Sequence, residues 1–443
     1  MAEAYNNIHP ELGLDETLHI LSLPLDQLEA SSDYYMAASH LINFPGERAE
    51  DALLRLVLNT SLQQPIRLAR RKAVEVLARL KCVRAMAAIG GCLESDDPYL
   101  IENAAWSLQQ LNCQESEVLQ KMCMLLEDPN QTRRVLIKSL AALGYHPASE
   151  TIETLKDEDV PSIRSAVISA QLLLDGDQSR LSDLADYLVL PNQMDRQSAI
   201  QDVIDCGAAR LLPDVLTSPV SPVFRLKALQ ALGAAAERIV NLDFDLLQNL
   251  DHLFLDSSDR LRLVHHYDEP PQDQFLVQEF FGTDFSRCYL ALQTLMLRSA
   301  KDLWPILHRR WTDDAYNDYG AHYFFILLLA GRADWPSDAI PEIRILLQDA
   351  MVNSRPQFMK SRPAAVLSLR QPWMHELRAS LFEILKTSDP IRWDCRYAAL
   401  MVLELDPELL QANRSAVENA VHDESELVRN RARRCLRSFQ QQA

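Results

Sequence analysis

Glycine is scarce in this sequence, with 11 in 443 residues, where the average usage of about 7% would give roughly 30. This scarcity argues against a turn-rich all-β protein and favours helices joined by short turns. Basic residues are also few, since 44 lysines and arginines face 62 aspartates and glutamates, and the formal net charge is −18. Non-specific nucleic-acid binding needs a basic surface, so the composition argues against it.

Zinc-site, membrane and export signals are missing as well. The eight cysteines form no CxxC pair and lack the spacing of a zinc site, so we expect reduced and mostly buried thiols. The longest apolar run, "FFILLLAG", is far shorter than the ~18–20 residues that cross a bilayer, so no membrane insertion is expected. The start, "MAEAYNNIHPELGLDE", is acidic and polar, unlike a signal peptide, and predicts a cytoplasmic protein.

What the sequence does contain is an internal repeat of about thirty residues. Its leading apolar position recurs after 31, 32, 30, 30 and 29 residues, at Leu77, Leu108, Leu140, Ala170, Ile200 and Leu229. Within each unit the apolar residues recur at i, i+3, i+4 and i+7, which is the stripe of an amphipathic helix. Turn signals such as "SDDP" and "SPVSP" separate several units. The pattern predicts an all-α protein, an α-solenoid of HEAT-like helical repeats.

The period is lost between about Val240 and Arg370, where proline pairs and aromatic stretches such as "NDYGAHYFF" appear. We therefore expect N-terminal HEAT-like repeats over 1–240, an irregular aromatic-rich central helical segment over 241–370, and C-terminal repeats with a cap over 371–443, in one continuous solenoid. Local inconsistency of this kind is expected at functional sites. The alternative is a set of insertion loops that only shape the solenoid.

Several stretches together resemble a known family: "SSDYYMAASHLINFPGE", "RLARRKAVEVLARL", "DDPYLIENAAWSLQQL", "LPNQMDRQSAIQD", "FGTDFSRCYLALQTL", "NDYGAHYFF", "RPQFMKSRPAA" and "WDCRYAALM". They are similar to the phycobilin lyases of the E/F clan, and most to the long single-chain phycoerythrin-specific type from cyanobacteria. The resemblance runs from about Ser31 to Met401 and is most specific in residues 281–295 and 317–325.

The resemblance implies a reaction and its partners. Such lyases attach a free linear tetrapyrrole through a thioether to a cysteine of a phycobiliprotein subunit. For this branch the substrate would be phycoerythrobilin and the acceptor a phycoerythrin α subunit, with isomerisation to phycourobilin or without it. The acceptor supplies the nucleophile, so no prosthetic group and no metal are expected. The adjacent histidines of "LVHHYDEPP" diverge on a helix and lack a third ligand.

Four residues of "NDYGAHYFF" are the catalytic candidates. Asp318 would hydrogen-bond the pyrrole nitrogens, and Tyr319, His322 and Tyr323 would transfer protons. On a continuous helix these side chains share adjoining parts of one face, and a histidine oriented by a carboxylate beside a phenol suits acid–base work near neutral pH. The alternative is an aromatic stripe with a hydrogen-bonded core histidine.

The bilin-binding candidates are one carboxylate, one thiol and five arginines: Asp284, Cys288, Arg287, Arg309, Arg310, Arg355 and Arg362. A guanidinium pairs with a propionate through two hydrogen bonds, although each arginine could instead form a surface salt bridge. Asp284 could face the pyrrole nitrogens or only cap a helix. Cys288 could carry bilin transiently or be a small buried apolar residue.

Other classes of function remain open at the level of sequence. A non-catalytic HEAT scaffold or chaperone for phycobiliprotein subunits would need neither the acid–base residues nor free bilin. A HEAT-like DNA glycosylase would need a basic concave face, which the acidic composition argues against. A general solenoid adaptor would distribute its aromatic residues evenly along the repeats.

Overall fold

The computed structural model describes residues 11–240, 242–353, 355, 358–389 and 392–442. The first ten residues, which contributed to the localisation prediction, lie outside this part of the chain. The described residues form α-helices, short 3-10 helices and a π-helical turn, with no strand among them. The chain divides into two compact units, Met1–Leu181 and Ser182–Ala443. The predicted all-α, HEAT-like fold class is confirmed, and the boundaries at 240 and 370 stay predictions.

The first unit is built from stacked helix pairs. Its helices are α1 Leu14–Ile20, α2 Asp33–His40, α3 Glu47–Leu58, α4 Gln64–Arg79, α5 Met86–Gly91, α6 Pro98–Gln110, α7 Ser116–Met124, α8 Arg133–Ala142, α9 Ser149–Glu153 and α10 Pro161–Asp175. The even-numbered helices form a consecutive series of contacts. Helix α2 packs against α4, α4 against α6, α6 against α8, and α8 against α10. The leading apolar positions of the predicted repeats are all buried, as a stacked array requires.

A polar contact at Asp97 shows how one repeat meets the next. The Asp97 carboxylate accepts the backbone N–H of Tyr99 and so caps α6, which begins at Pro98. The same carboxylate accepts two hydrogen bonds from the Arg71 guanidinium of α4, at 2.8 and 2.7 Å. One acidic residue of the "SDDP" turn therefore both starts a helix and fixes its neighbour.

The second unit contains the irregular centre. Its helices are α11 Leu184–Tyr187, α12 Gln193–Asp205, α13 Leu212–Thr217, α14 Pro222–Ala236, α15 Leu246–Leu255, α16 Asp273–Glu279, α17 Phe285–Met296, α18 Ala300–Arg310, α19 Ala321–Gly331, α20 Ile340–Val352, α21 Ser361–Leu367, α22 Ser380–Lys386, α23 Trp393–Glu404, α24 Pro407–Ala412, α25 Arg414–Ala420 and α26 Glu426–Gln442. Helix α19 packs against α17, α20 and α21, and α21 packs against α15 and α23. None of the helices in the described ranges is long and apolar enough to span a membrane.

The predicted helix over "NDYGAHYFF" begins later than expected. Helix α18 continues directly into a π-helical turn at Trp311–Ala315, and the chain then turns before α19 starts at Ala321. Isolated π-helical turns are found frequently at functional sites. We refer to residues 316–320 as the central turn.

Candidate functional site

Asp318 and Tyr319 lie on the central turn, at the entrance to α19. One carboxylate oxygen of Asp318 accepts the backbone N–H groups of Gly320 and Ala321, at 2.8 and 2.7 Å, and thereby caps α19. Within the described ranges, the other oxygen of Asp318 accepts no hydrogen bond. The next residue, Tyr319, leaves 59% of its surface exposed. The turn thus presents one carboxylate oxygen and one phenol for binding.

Lys360 lies against the same turn, although it is distant in sequence. Its ammonium nitrogen lies 4.6 Å from the centroid of the Tyr319 ring, 5.0 Å from that of Phe285 and 5.3 Å from that of Tyr323. Cation–π contacts of this kind stabilise a partly desolvated cation, but less than a carboxylate does. Among the residues that the structure describes, no carboxylate pairs with Lys360 and no acceptor hydrogen-bonds to it.

Burial is the main influence on the charge of Lys360. It lowers the pKa of the amine to about 8, although Cys288, Asp318 and Asp256 oppose this shift electrostatically. The ammonium form is therefore the main species at neutral pH and is lost just above it. We call the group formed by Phe285, Asp318, Tyr319, Tyr323 and Lys360 the lysine site.

A buried polar network lies directly beneath the lysine site. The Arg225 guanidinium donates to the Asp256 carboxylate at 2.7 Å and to the Tyr289 hydroxyl at 2.8 Å. The hydroxyls of Tyr289 and Tyr323 both donate to the other oxygen of Asp256. Asp256 follows α15 in the left-handed conformation, with φ of 43°, which few residues other than glycine, asparagine and aspartate adopt. All four side chains are buried, and they join α14, α15, α17 and α19.

The network gives Tyr323 a role different from the predicted one. Burial, reinforced by the negative charge of Asp256, raises the pKa of Tyr323 well above its ordinary value. The phenol is therefore held as a proton donor to Asp256 and presents only its ring to Lys360. Its predicted part in proton transfer is not supported by this geometry, because the hydroxyl is buried in a pairing that is already complete.

His322 pairs with a serine and not with the carboxylate that was predicted to orient it. Its Nδ1 atom is 2.8 Å from the Ser361 hydroxyl, and its ring stacks on Phe358 with centroids 3.9 Å apart. Burial, aided by the charge of Lys360, lowers the pKa of His322 to about 4. The prediction of an Asp318–His322 pair poised near neutral pH is therefore wrong. Asp318 uses its carboxylate on the backbone, and the imidazole is a neutral core group at pH 7.

Asp284 is a helix cap and an ion-pair partner. It accepts the backbone N–H of Ser286 at 2.9 Å, which confirms the capping alternative. The same oxygen accepts from the Arg196 guanidinium at 2.5 Å, and the other oxygen lies 3.0 Å from Nε2 of His265. Arg196 is completely buried and also donates to two backbone carbonyls. Both oxygens of Asp284 have partners within the protein, so a contact with pyrrole nitrogens has to share the carboxylate with them and stays a prediction.

Three of the arginine candidates lie on the surface of α17 and α18. Arg287 is paired with Glu279 at 2.8 Å, and Arg310 is 3.3 Å from Asp314 one helical turn later. Arg309 is exposed and has no ion pair within the described part of the chain. Arg287 and Arg310 therefore match the surface salt-bridge alternative. A role for any of the three in propionate binding stays a prediction.

Of the other two arginine candidates, Arg355 precedes α21 and Arg362 is the second residue of that helix. Arg355 is exposed, donates to the Asn317 side chain at 3.0 Å and lies over the ring of Tyr316. Arg362 is buried and donates to the backbone carbonyls of Asn353, at 2.5 Å, and Arg355. Arg355 is thus placed to bind an anion at the central turn, whereas Arg362 ties down the backbone of its own segment.

Cys288 is inert in this environment. It is fully buried, and its thiol donates to the backbone carbonyls of Glu279 and Asp284, both at 3.2 Å. Burial raises the pKa of the Cys288 thiol to about 12, so the nucleophilic thiolate is absent at neutral pH. This geometry favours the interpretation of Cys288 as a small buried apolar residue over its interpretation as a transient bilin carrier.

Sequence reasoning missed Lys360, Asp256, Arg225 and Tyr289. Lys360 stands in "RPQFMKSRPAA" between Arg355 and Arg362, the residues that were predicted to bind propionate. Its signal was a single lysine directly before "SRPAAVL", which becomes the wholly buried helix α21. Asp256 ends the apolar helix sequence "LDHLFLD", where a carboxylate directly after apolar residues suggests a buried partner.

Comparison with known proteins adds the family. The bilin biosynthesis protein CpeY of Synechococcus sp. (strain WH8020) is 39% identical over 414 residues, which cover 93% of this chain and 98% of that protein. The chain belongs to the CpeY family. The uncharacterized phycocyanin operon protein Y of Pseudanabaena tenuis (strain PCC 7409) is 36% identical, covering 94% of this chain and 96% of that protein. The predicted resemblance to bilin lyases is confirmed at the level of the family.

Two further similarities concern the fold of this CpeY family member. Residues 57–141 match the HEAT repeats family. A chain from the complex of CpcE and CpcF of phycocyanin lyase from Nostoc sp. PCC7120 is 22% identical, with a TM-score of 0.47, and covers 57% of this chain and 99% of that chain. The HEAT match falls on α4, α6 and α8, where the thirty-residue period is clearest.

Proposed function

We propose that this CpeY family member is a bilin lyase that attaches phycoerythrobilin through a thioether to a cysteine of a phycoerythrin α subunit, and that it isomerises the product to phycourobilin. Its relatives are named for bilin biosynthesis and for a phycocyanin operon, which supports a tetrapyrrole substrate. The observation that carries the proposal is the lysine site. There, an acceptor oxygen of Asp318, the exposed phenol of Tyr319 and a cation share one surface.

The attachment step needs no oxidant. The acceptor thiol adds across the ethylidene double bond of ring A, so one carbon–sulfur bond forms and the thiol proton ends on the tetrapyrrole. Isomerisation then places one proton on the bridge between rings A and B and removes one from ring A, so the double bond moves without a change in composition. Asp318 fixes the pyrrole N–H groups, and Tyr319 exchanges the protons.

This proposal assigns no proton transfer to His322. With its pKa lowered to about 4, His322 lacks the charged form at neutral pH and is enclosed by Phe358 and Ser361. Tyr319 is the phenol that solvent and substrate reach, since Tyr323 is bonded to Asp256 below the surface. The site therefore works by orienting the bilin and by one accessible acid–base group.

Co-expression of the chain with the phycoerythrin subunits and a phycoerythrobilin-synthesis pathway tests the proposal. We expect a covalent adduct on the α subunit with the absorption of phycourobilin. An adduct that absorbs as phycoerythrobilin would show a lyase without isomerisation. No adduct, together with an unchanged bilin spectrum on mixing, would indicate a scaffold or chaperone and overturn the proposal. An acceptor whose target cysteine is replaced by alanine is the control for non-covalent binding.

A further inference from the structure

Lys360 belongs to the lysine site, but neither the thiol addition nor the isomerisation described above uses its charge. Its ammonium is half-buried, and its neighbours within the described ranges are three aromatic rings and carboxylates outside pairing distance. Removing a lysine ammonium from water is unfavourable unless an anion compensates for the loss. A position that keeps such a group beside an exposed ring is therefore suited to an anion supplied from outside.

We propose that Lys360 binds a propionate carboxylate of a linear tetrapyrrole whose conjugated system stacks on the ring of Tyr319. The inference rests on the proposed function and deepens it, because it makes the free acid of the substrate a requirement for binding. The carboxylate would complete the ion pair that Lys360 lacks, while the phenol ring provides an apolar platform.

The backbone holds Lys360 firmly in this position. The next residue, Ser361, is fully buried and bonded to His322, and Arg362 donates to the carbonyls of Asn353 and Arg355. Lys360 itself stands at the amino end of α21, where a positive charge is unfavourable because this end of a helix dipole is also positive. The helix dipole opposes the charge, and the aromatic contacts compensate for only part of its desolvation, so its place is consistent with binding rather than with folding.

The surroundings favour a dicarboxylic ligand that also carries N–H groups. The oxygen of Asp318 that has no partner within the described ranges can accept hydrogen bonds from N–H groups of the ligand, while Lys360 pairs with its acid group. On the other part of the central turn, Arg355 lies over the ring of Tyr316 with its guanidinium carbon 5.5 Å from the centroid. Two cations thus stand against neighbouring rings of one turn, which suits the two propionates of a linear tetrapyrrole.

Biliverdin and its dimethyl ester are suitable probes, because the ester keeps the tetrapyrrole but lacks both negative charges. We expect the wild-type chain to bind the acid more tightly than the ester, as measured by absorbance titration. Lys360→Met should weaken binding of the acid by about 10- to 100-fold and leave binding of the ester unchanged. Lys360→Arg should retain binding of the acid within about threefold, because it keeps the cation.

Lys386→Met is the matched control. Lys386 also lies over an aromatic ring, that of Phe382 at 3.9 Å, but it is exposed and remote in sequence. Its replacement should change neither affinity. Circular dichroism and thermal melting establish that each variant is folded, and Lys360→Arg keeps the test decisive if the methionine variant does not fold.

A pH series provides an independent readout. The titratable groups that face Lys360 are Asp256 after α15, Cys288 on α17, Asp318 and Tyr319 on the central turn, and His322 and Tyr323 on α19. Affinity for the acid should fall about tenfold or more between about pH 7 and about pH 10 as the ammonium is lost. The affinity for the acid should not change with pH in Lys360→Arg. The same pH series in Tyr319→Phe excludes the exposed phenol as the cause of the change.

Three results would overturn the inference: equal loss of acid and ester binding in Lys360→Met, unchanged acid binding in that variant, or no tetrapyrrole binding by the wild type. The inference and the proposed function fail separately. If the wild type binds biliverdin through Lys360 but forms no adduct on the acceptor, the carboxylate site stands and the lyase proposal falls. If adduct forms and Lys360→Met binds both probes normally, the lyase proposal stands and the carboxylate site falls.

Discussion

The ammonium of Lys360 lies 4.6 Å from the centroid of the exposed Tyr319 ring. This contact joins two segments of the second unit that are forty-one residues apart in sequence. It places a cation, a phenol and the carboxylate of Asp318 on one surface above a buried network.

The ring and the hydroxyl of Tyr319 should have separable roles in binding and in chemistry. Tyr319→Phe keeps the ring over Lys360, so tetrapyrrole binding should persist while the rate of adduct formation or isomerisation falls by about 100-fold. Tyr319→Ala should weaken binding as well, because the platform is lost. Single-turnover kinetics with saturating bilin measures the two effects, and an unaltered rate in Tyr319→Phe would remove the phenol from the chemistry.

Tyr323 should behave in the opposite way. Tyr323→Phe removes one of the donors to Asp256, so the free energy of unfolding should fall by about 1–3 kcal/mol. Adduct formation by the folded protein should remain close to that of the wild type, since the hydroxyl is not exposed to substrate. Urea denaturation and the adduct assay provide the two measurements. A large kinetic loss at unchanged stability would restore the catalytic role predicted from the sequence.

Lys360→Met should stabilise the protein without ligand. The folded state lowers the pKa of Lys360 to about 8 from 10.5, so it binds fewer protons than the unfolded chain between these pH values. Stability therefore rises with pH through this window, and the full penalty is present below about pH 8. At pH 7 the variant should gain at most about 3 kcal/mol. Equal unfolding free energies for variant and wild type at pH 7 would contradict this expectation.

His322 should make stability sensitive to acid. Because its folded pKa is lowered to about 4 from 6.5, the unfolded chain binds the extra proton first, and stability is lost as pH falls from about 6.5 to about 4. His322→Phe should flatten this part of the pH profile. The control is His308→Gln, which changes an exposed histidine paired with Glu342. The profile of the control should keep the wild-type slope.

The Arg196–Asp284 pair should show strong coupling. Arg196→Met leaves Asp284 without its guanidinium, and Asp284→Asn leaves a buried guanidinium unpaired, so the latter should destabilise by about 3–5 kcal/mol. The double variant should lose less than the sum of the single variants, and a double-mutant cycle from urea denaturation measures the difference. Additive losses would mean that the pair contributes nothing to fixing α17.

Helices were predictable because their signal is local, whereas the site depended on contacts between distant segments. The burial of Leu77, Leu108 and Leu140 follows directly from apolar spacing within each repeat. The Asp318–His322 pairing failed because helical spacing was extended across residues that form a turn. Asp318 uses one carboxylate oxygen to cap α19, and the imidazole of His322 pairs with Ser361 instead.

Lys360 and Asp256 show the limit of sequence patterns most clearly. A lysine directly before the buried helix α21 is a local signal of burial, but it does not indicate that three aromatic rings from α17, α19 and the central turn will enclose Lys360. The role of Asp256 depends on its hydrogen bonds with Arg225, Tyr289 and Tyr323, which lie on three other helices. Asp318 and Tyr319 were accessible to sequence reasoning because both belong to one short stretch.

The burial of cysteines bears on selectivity between thiols. In the proposed reaction the bilin is an electrophile through its ethylidene group, and this chain contains eight cysteines of its own. Burial raises the pKa of six of their thiols, those of Cys82, Cys92, Cys113, Cys288, Cys395 and Cys435. These groups are thus both shielded and protonated. Those six thiols are thereby protected against alkylation by the bilin of the proposed reaction, and they compete little with the acceptor's thiol.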